Sequence, residues 1–203
     1  ALLSTGLSQV GYLKAKQIMS LEEILRLIEN SSTERRNPGK YNVSIFGTPS
    51  DKGTWGFRYE GHHLALNFTV ANGKLVGTPT FFGSNPAKVP SGPHAGLRVL
   101  GDEEDFGRDL YKSLDASQQK TALVDTKAYP DILTSNSRKA SIEGQPNGLS
   151  AAKMNAAQRT KLQALLAVYT SNMPEAIASD RQAKIKAAGN NLFFAWAGGA
   201  EVG

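Results

Sequence analysis

Trp55-Gly56-Phe57-Arg58-Tyr59-Glu60-Gly61-His62-His63-Leu64-Ala65-Leu66-Asn67-Phe68-Thr69-Val70-Ala71-Asn72-Gly73-Lys74-Leu75-Val76 alternates apolar and polar side chains with a period of two. Trp55, Phe57 and Tyr59 share one face, with Gly56, Arg58 and Glu60 on the other. After Gly61 the pattern resumes, with Leu64, Leu66, Phe68 and Val70 set against His63, Ala65, Asn67 and Thr69. Period two is the signature of a half-buried strand. Asn72-Gly73 is a two-residue hairpin turn, because both residues tolerate the positive φ that such turns demand. The stretch therefore predicts antiparallel strands with one apolar face.

Upstream, Val43 and Ile45 alternate with Asn42 and Ser44, which adds a strand from Tyr41. Downstream, Thr78 to Gly83 reads as an outer strand, since Pro79 donates no ladder hydrogen bond and is confined to an edge. The flanks are helical. Ser8 caps a first helix to about Met19, and Ser20-Leu21-Glu22-Glu23 has the form of a capping box opening a second. In that second helix Leu21, Ile24, Leu25 and Ile28 make one apolar face. Asn30 to Lys40 is polar, with a turn at Asn37-Pro38-Gly39. Ser84 to Gly101 is a long loop rich in Pro and Gly, a kind of segment that is often functional.

Asp102 caps a helix to about Leu114, with Glu103 and Glu104 in its first turn, and Asp115 caps another from Ala116 to Val124. Residues 131–150 read as a polar loop. Asn155 opens a helix with Leu162, Leu165, Leu166 and Tyr169 on one side, and Pro174 begins one that ends at Gly189. Leu192 to Trp196 reads as a buried strand without a return partner in sequence. The fold class is α+β: an antiparallel β-meander with helices from both the N- and C-terminal parts packed on one face. The expected organisation is one domain over 1–203, helical in 1–40 and 101–190, with the meander in 41–100 and a terminal strand in 191–203.

The 203 residues, 40% hydrophobic and 20% charged, suffice to bury a core. No window has the apolar length of a membrane span. The net charge of +5 would draw acidic partners. The basic residues are dispersed, however, with Arg35-Arg36 and Arg138-Lys139 as the small pairs, and no nucleic-acid motif or nucleic-acid partner is expected. With no cysteine, disulfides, thiol nucleophiles and cysteine-ligated metals are excluded. Asn30, Asn42 and Asn67 begin Asn-x-Ser/Thr sequons, relevant only in a eukaryotic secretory route. Ala1-Leu2-Leu3 reads as a processed or trimmed end. Oligomeric state is not readable.

All three histidines fall in two glycine-flanked turns, His62-His63 and Gly92-Pro93-His94, about thirty positions apart. Neutral imidazole is a common ligand for zinc, copper or iron. Three histidines leaving a fourth position open is the arrangement of a catalytic zinc site. His62, His63 and His94 are thus candidate ligands for a divalent transition metal. Glu60, and Asp51 nearby, are candidate general bases. Arg98 and Asn67 are candidate contacts to a small-molecule or acidic ligand. The same histidines also suit hydrogen-bonded supports of their turns, or metal-free acid–base work. The Trp55/Phe57/Tyr59 stripe reads as core, with a sugar-stacking platform as its other use.

The stretch Trp55 to Thr69, with Pro79-Thr80-Phe81-Phe82-Gly83-Ser84-Asn85-Pro86, Gly92-Pro93-His94-Ala95-Gly96-Leu97-Arg98-Val99-Leu100, Tyr12-x-Lys14-Ala15 and Ile18 to Glu22, resembles the uncharacterised family catalogued as domain of unknown function 3500. The resemblance implies no established activity. It implies bacterial or fungal members, many exported, so that a secreted or periplasmic location is expected. It also implies that this chain is an internal portion of a longer protein with further histidines at both ends. The functional expectation is an exported metal-dependent enzyme, hydrolytic or oxidative. Its alternative is a non-catalytic metal- or ligand-binding protein in which the histidines are structural.

Overall fold

A computed structural model describes residues 2–135, 137 and 144–201. The Arg138-Lys139 pair and the middle of the predicted 131–150 loop lie outside these residues. The chain packs as two units, one of residues 1–101 with 170–180 and the other of 102–169 with 181–203.

The first unit opens with α1 (Leu2–Gly6) and α2 (Gln9–Ile28). Ser8 caps α2, its Oγ accepting from the Gly11 N–H at 3.0 Å. The helix does not break at Ser20, as the capping-box reading expected. Ala15, Ile18, Leu21 and Leu25 form one buried stripe across that point. Burying a continuous stripe outweighs the ~1 kcal/mol of a cap. Ser20 stays helical and its Oγ donates to the Gln17 carbonyl at 2.7 Å.

Four strands follow: β1 (Asn42–Phe46), β2 (Thr54–Gly61), β3 (Leu64–Ala71) and β4 (Lys74–Phe82). They form an antiparallel meander in the order β1-β2-β3-β4. Asn72 and Gly73 turn the last hairpin at φ 49° and 75°, the positive values their side chains permit. β4 is an outer strand, as Pro79 requires. Ile45 pairs with Phe57 and Phe57 with Phe68, so register puts the apolar residues abreast. Phe57, Leu64, Leu66 and Phe68 are buried with Ala15, Ile18 and Leu21 of α2 and with Met173 and Ile177. Helical segments from both ends of the chain thus cover one sheet face. The 84–101 loop contributes Val89 and Val99 to the same core.

The remaining elements are α3 (Gly101–Lys112), α4 (Ala116–Ala122), β5 (Leu123–Asp125), β6 (Leu149–Ser150), α5 (Ala156–Thr170), α6 (Glu175–Ala188), β7 (Phe193–Phe194) and β8 (Trp196–Ala197), and they make up the second unit except that α6 belongs to the first as far as Asp180. Asp115 forms a full capping box with Gln118, and the Asn155 side chain accepts from the Gln158 N–H at 2.9 Å. Asp102 does not cap, because α3 already begins at Gly101 and places it inside the first turn. Leu110, Leu114, Leu149, Leu162, Leu165 and Phe194 make the core of the second unit, whereas Tyr169 is 53% exposed. The terminal strand does find partners. β7 pairs antiparallel with β6, and β8 pairs parallel with β5. Their distance in sequence hid them, because a two-residue strand such as Leu149–Ser150 carries no period.

Candidate functional site

The β2–β3 hairpin turns on His62 and His63, whose rings stack with centroids 3.9 Å apart and planes 19° apart. His62 Nδ1 lies 2.8 Å from Glu22 Oε1. Arg36 Nη1 lies 2.9 Å from that Nδ1 and 3.1 Å from Nε2. With the Nδ1 proton donated to Glu22, Nε2 is the nitrogen left to accept from the guanidinium. Arg36 is itself held by Glu29, Nε and Nη2 donating to the two carboxylate oxygens at 2.8 and 2.7 Å. The Tyr41 hydroxyl donates to Glu22 Oε1 at 3.3 Å and accepts from the His63 N–H at 3.3 Å. Burial pushes the Tyr41 phenol well above its ordinary pKa, so it remains a donor.

Glu22 is 3% exposed. A buried carboxylate needs such partners, since an unpaired one carries a large desolvation cost. It lies four residues after Ile18 and three before Leu25, on the buried stripe of α2. A charged residue at a core position was the available signal in sequence, masked by assigning Glu22 to a capping box.

His63 is half-buried, and among the described residues its ring nitrogens make no hydrogen bond. Burial first, then the neighbouring His62, push its imidazole below the ordinary range, with Glu22 acting in the opposite direction. A histidine with a folded pKa below its unfolded value binds fewer protons when folded. Its contribution to stability is therefore complete above the unfolded pKa and is lost as pH falls through that value towards the folded one. Denaturation midpoints are expected to drop as pH falls below about 6.5. The His63→Gln variant should show a flatter profile over that interval, and an unchanged slope would refute the assignment to His63.

Of the predicted metal ligands, His62 and His63 are adjacent, with their rings stacked. Imidazole lone pairs lie in the ring planes, so two nearly parallel stacked rings direct theirs side by side instead of at one ion about 2 Å from each. His94 is exposed in the 84–101 loop, at a turn where the Leu97 N–H donates to its carbonyl at 3.0 Å. Among the described residues no group of three or more His, Asp or Glu side chains is arranged to hold a metal ion. Asp51 lies before β2 and His62 after it, so a strand of roughly 25 Å separates them.

Glu60 pairs instead with Arg58, Nη2 to Oε1 at 2.8 Å, on the sheet face opposite the core. Register sets Ser44, Arg58 and Asn67 abreast on that face, and beside them Phe46, Gly56 and Thr69. Of these, Phe46, Gly56, Arg58, Asn67 and Thr69 line a groove of about 450 Å3. The Arg58 guanidinium lies 5.5 Å from the centroid of the Phe46 ring, and its Nε is buried without a hydrogen-bond partner. Asn67 Nδ2 donates to the Pro79 carbonyl at 3.0 Å, which leaves its Oδ1 towards other partners. Of the ligand contacts expected from sequence, Asn67 lines this groove and Arg98 does not. Arg58 and Phe46 were not singled out, because a polar strand face looks alike whether it is solvated or grooved.

No helix among the described residues is long and apolar enough to cross a membrane. Neither a curated protein nor a solved structure matches this chain. A family model described as "Protein of unknown function (DUF3500)" matches residues 1–203, and the chain belongs to that family.

Proposed function

We propose that this chain is a non-catalytic ligand-binding protein whose histidine turn is architectural and whose ligand is held on the open face of the meander. The observation that carries the reading is the engagement of His62 by a buried carboxylate. A ring that satisfies Glu22 through one nitrogen and faces Arg36 with the other has spent its hydrogen-bonding capacity on the fold. The groove beside Arg58 and Asn67 supplies the concave, partly apolar surface that small ligands need.

Glu22→Ala is expected to lower stability by about 2 kcal/mol, since His62 and Tyr41 lose their buried acceptor. His94→Ala should be neutral, and a chelator should leave the melting temperature unchanged. Near-stoichiometric transition metal in the purified protein, lost on His62→Ala, would overturn the reading. That result would favour the second one, a metal-dependent hydrolytic or oxidative enzyme. Its specific support is His63, whose burial lowers its pKa and whose ring makes no hydrogen bond among the described residues.

A further inference from the structure

Resting on the ligand-binding reading above, we infer that the groove over Gly56 takes a small organic carboxylate with a flat apolar body, Arg58 holding the carboxylate and Phe46 the body. Three observations converge on that chemistry. The first is an incompletely used cation. Arg58 gives Nη2 to Glu60 at 2.8 Å, while its buried Nε has no partner. A guanidinium binds carboxylates through paired N–H groups, and the Arg58 side chain is 38% exposed with only Nη2 given to Glu60, so its solvent-facing edge can meet an added anion.

The second is an exposed aromatic surface where no structural need explains it. Phe46 is 52% exposed on the polar side of the sheet, with the Arg58 guanidinium beside it. A flat ligand covering Phe46 would bury apolar area and extend the stack. The third is space. Gly56 has no side chain, so the floor between Phe46 and Thr69 is bare backbone. A Cβ there would come 2.8 Å from the Phe68 carbonyl oxygen. The rim adds Asn67 and the hydroxyls of Thr54 and Thr69, which suit polar substituents.

Glu60 then acts as a built-in competitor. Its carboxylate occupies one edge of the guanidinium in the unliganded groove, and an incoming carboxylate shares or displaces it. This gives the site a signature with two signs. Neutralising Arg58 weakens binding, whereas neutralising Glu60 strengthens it.

The test is an amide chemical-shift titration of isotope-labelled protein with benzoate, and with benzamide as its neutral counterpart. Benzoate is expected to shift the amides of residues 54–58 and 67–69 saturably at millimolar concentration. Benzamide should bind at least about tenfold more weakly, as should benzoate to Arg58→Gln, for the loss of a charge-assisted pair. Glu60→Gln should bind benzoate more tightly, and added salt should weaken binding to the unaltered protein. Phe46→Ala, which leaves the Arg58–Glu60 pair in place, covers the case of an Arg58 variant that does not fold. It too should weaken benzoate binding.

Equal binding of benzamide and benzoate at these amides would overturn the carboxylate assignment while leaving the binding-protein reading intact. The absence of groove-confined shifts with both probes would overturn the site itself. Shifts of the same amides that follow protein concentration without ligand would show the face covered by a second copy, and the assignment would fall.

Discussion

Truncation of Phe68 to alanine is expected to lower the free energy of unfolding by about 4 kcal/mol, the usual cost of deleting a buried aromatic ring. Phe68 is 3% exposed and stacks on Phe57 with centroids 4.7 Å apart. Its ring is also where Gly6 of α1 and Gly77 of β4 approach. A Cβ on Gly6 would meet Phe68 Cζ at 2.5 Å, and one on Gly77 would meet Cε1 at 3.1 Å. One side chain thus fills the space between a helix and two strands, and neighbours drawn in so tightly cannot close the cavity without moving backbone. Urea denaturation followed by Trp55 fluorescence in a Trp196→Phe background reads the first unit, because the two tryptophans fall one in each unit. A loss below about 1 kcal/mol would mean that the ring is not packed as described.

Gly11→Ala is expected to destabilise by about 3 kcal/mol, the upper range for forcing extra volume into a packed site. Helix propensity alone argues the reverse, since alanine is favoured over glycine inside a helix by about 1 kcal/mol. The reversal comes from a backbone contact. A Cβ on Gly11 would lie 2.1 Å from the Asn172 carbonyl oxygen and 3.0 Å from its Cα. The Ser8 N–H donates to that same carbonyl at 3.1 Å, and Ser8 Oγ donates to the Ser171 carbonyl at 2.5 Å. The start of α2 is therefore bound to residues 171–172, with no flexible side chain available to give way. The sign of the effect is the test, and a Gly11→Ala protein that melts higher would mean that this contact does not form in solution.

These two positions differ in how visible they are before folding. Phe68 sits in the alternation Leu64, Leu66, Phe68, and its place on the apolar face follows from counting by two. Gly11 lies in a helix where nothing local separates a neutral glycine from an obligatory one. The same contrast runs through the candidate site. Asn67 was legible as a polar residue on the outer face. The groove it lines was not, because the groove depends on Phe46 of β1 coming abreast of Gly56, and no run of local residues records that register.

The three histidines show the limit most clearly. Their spacing in glycine-flanked turns suggested one centre, but His94 lies in a separate loop, and His62 is claimed by Glu22, forty residues earlier. Tyr41, which bridges Glu22 and the His63 amide, is likewise distant in sequence.

The amino-acid order alone specified the meander, its Asn72-Gly73 turn, the edge position of Pro79, the caps at Ser8, Asp115 and Asn155, and the α+β class. Each follows from forces acting within a few residues: side-chain alternation, permitted φ values, and satisfaction of the first N–H groups of a helix. Tertiary packing alone fused the two expected N-terminal helices into α2, supplied β6 and β5 as partners for the strand ending at Trp196, and turned His62 towards Glu22. Those outcomes depend on which distant surfaces bury one another, and that free energy belongs to pairs of segments and is written in neither one alone.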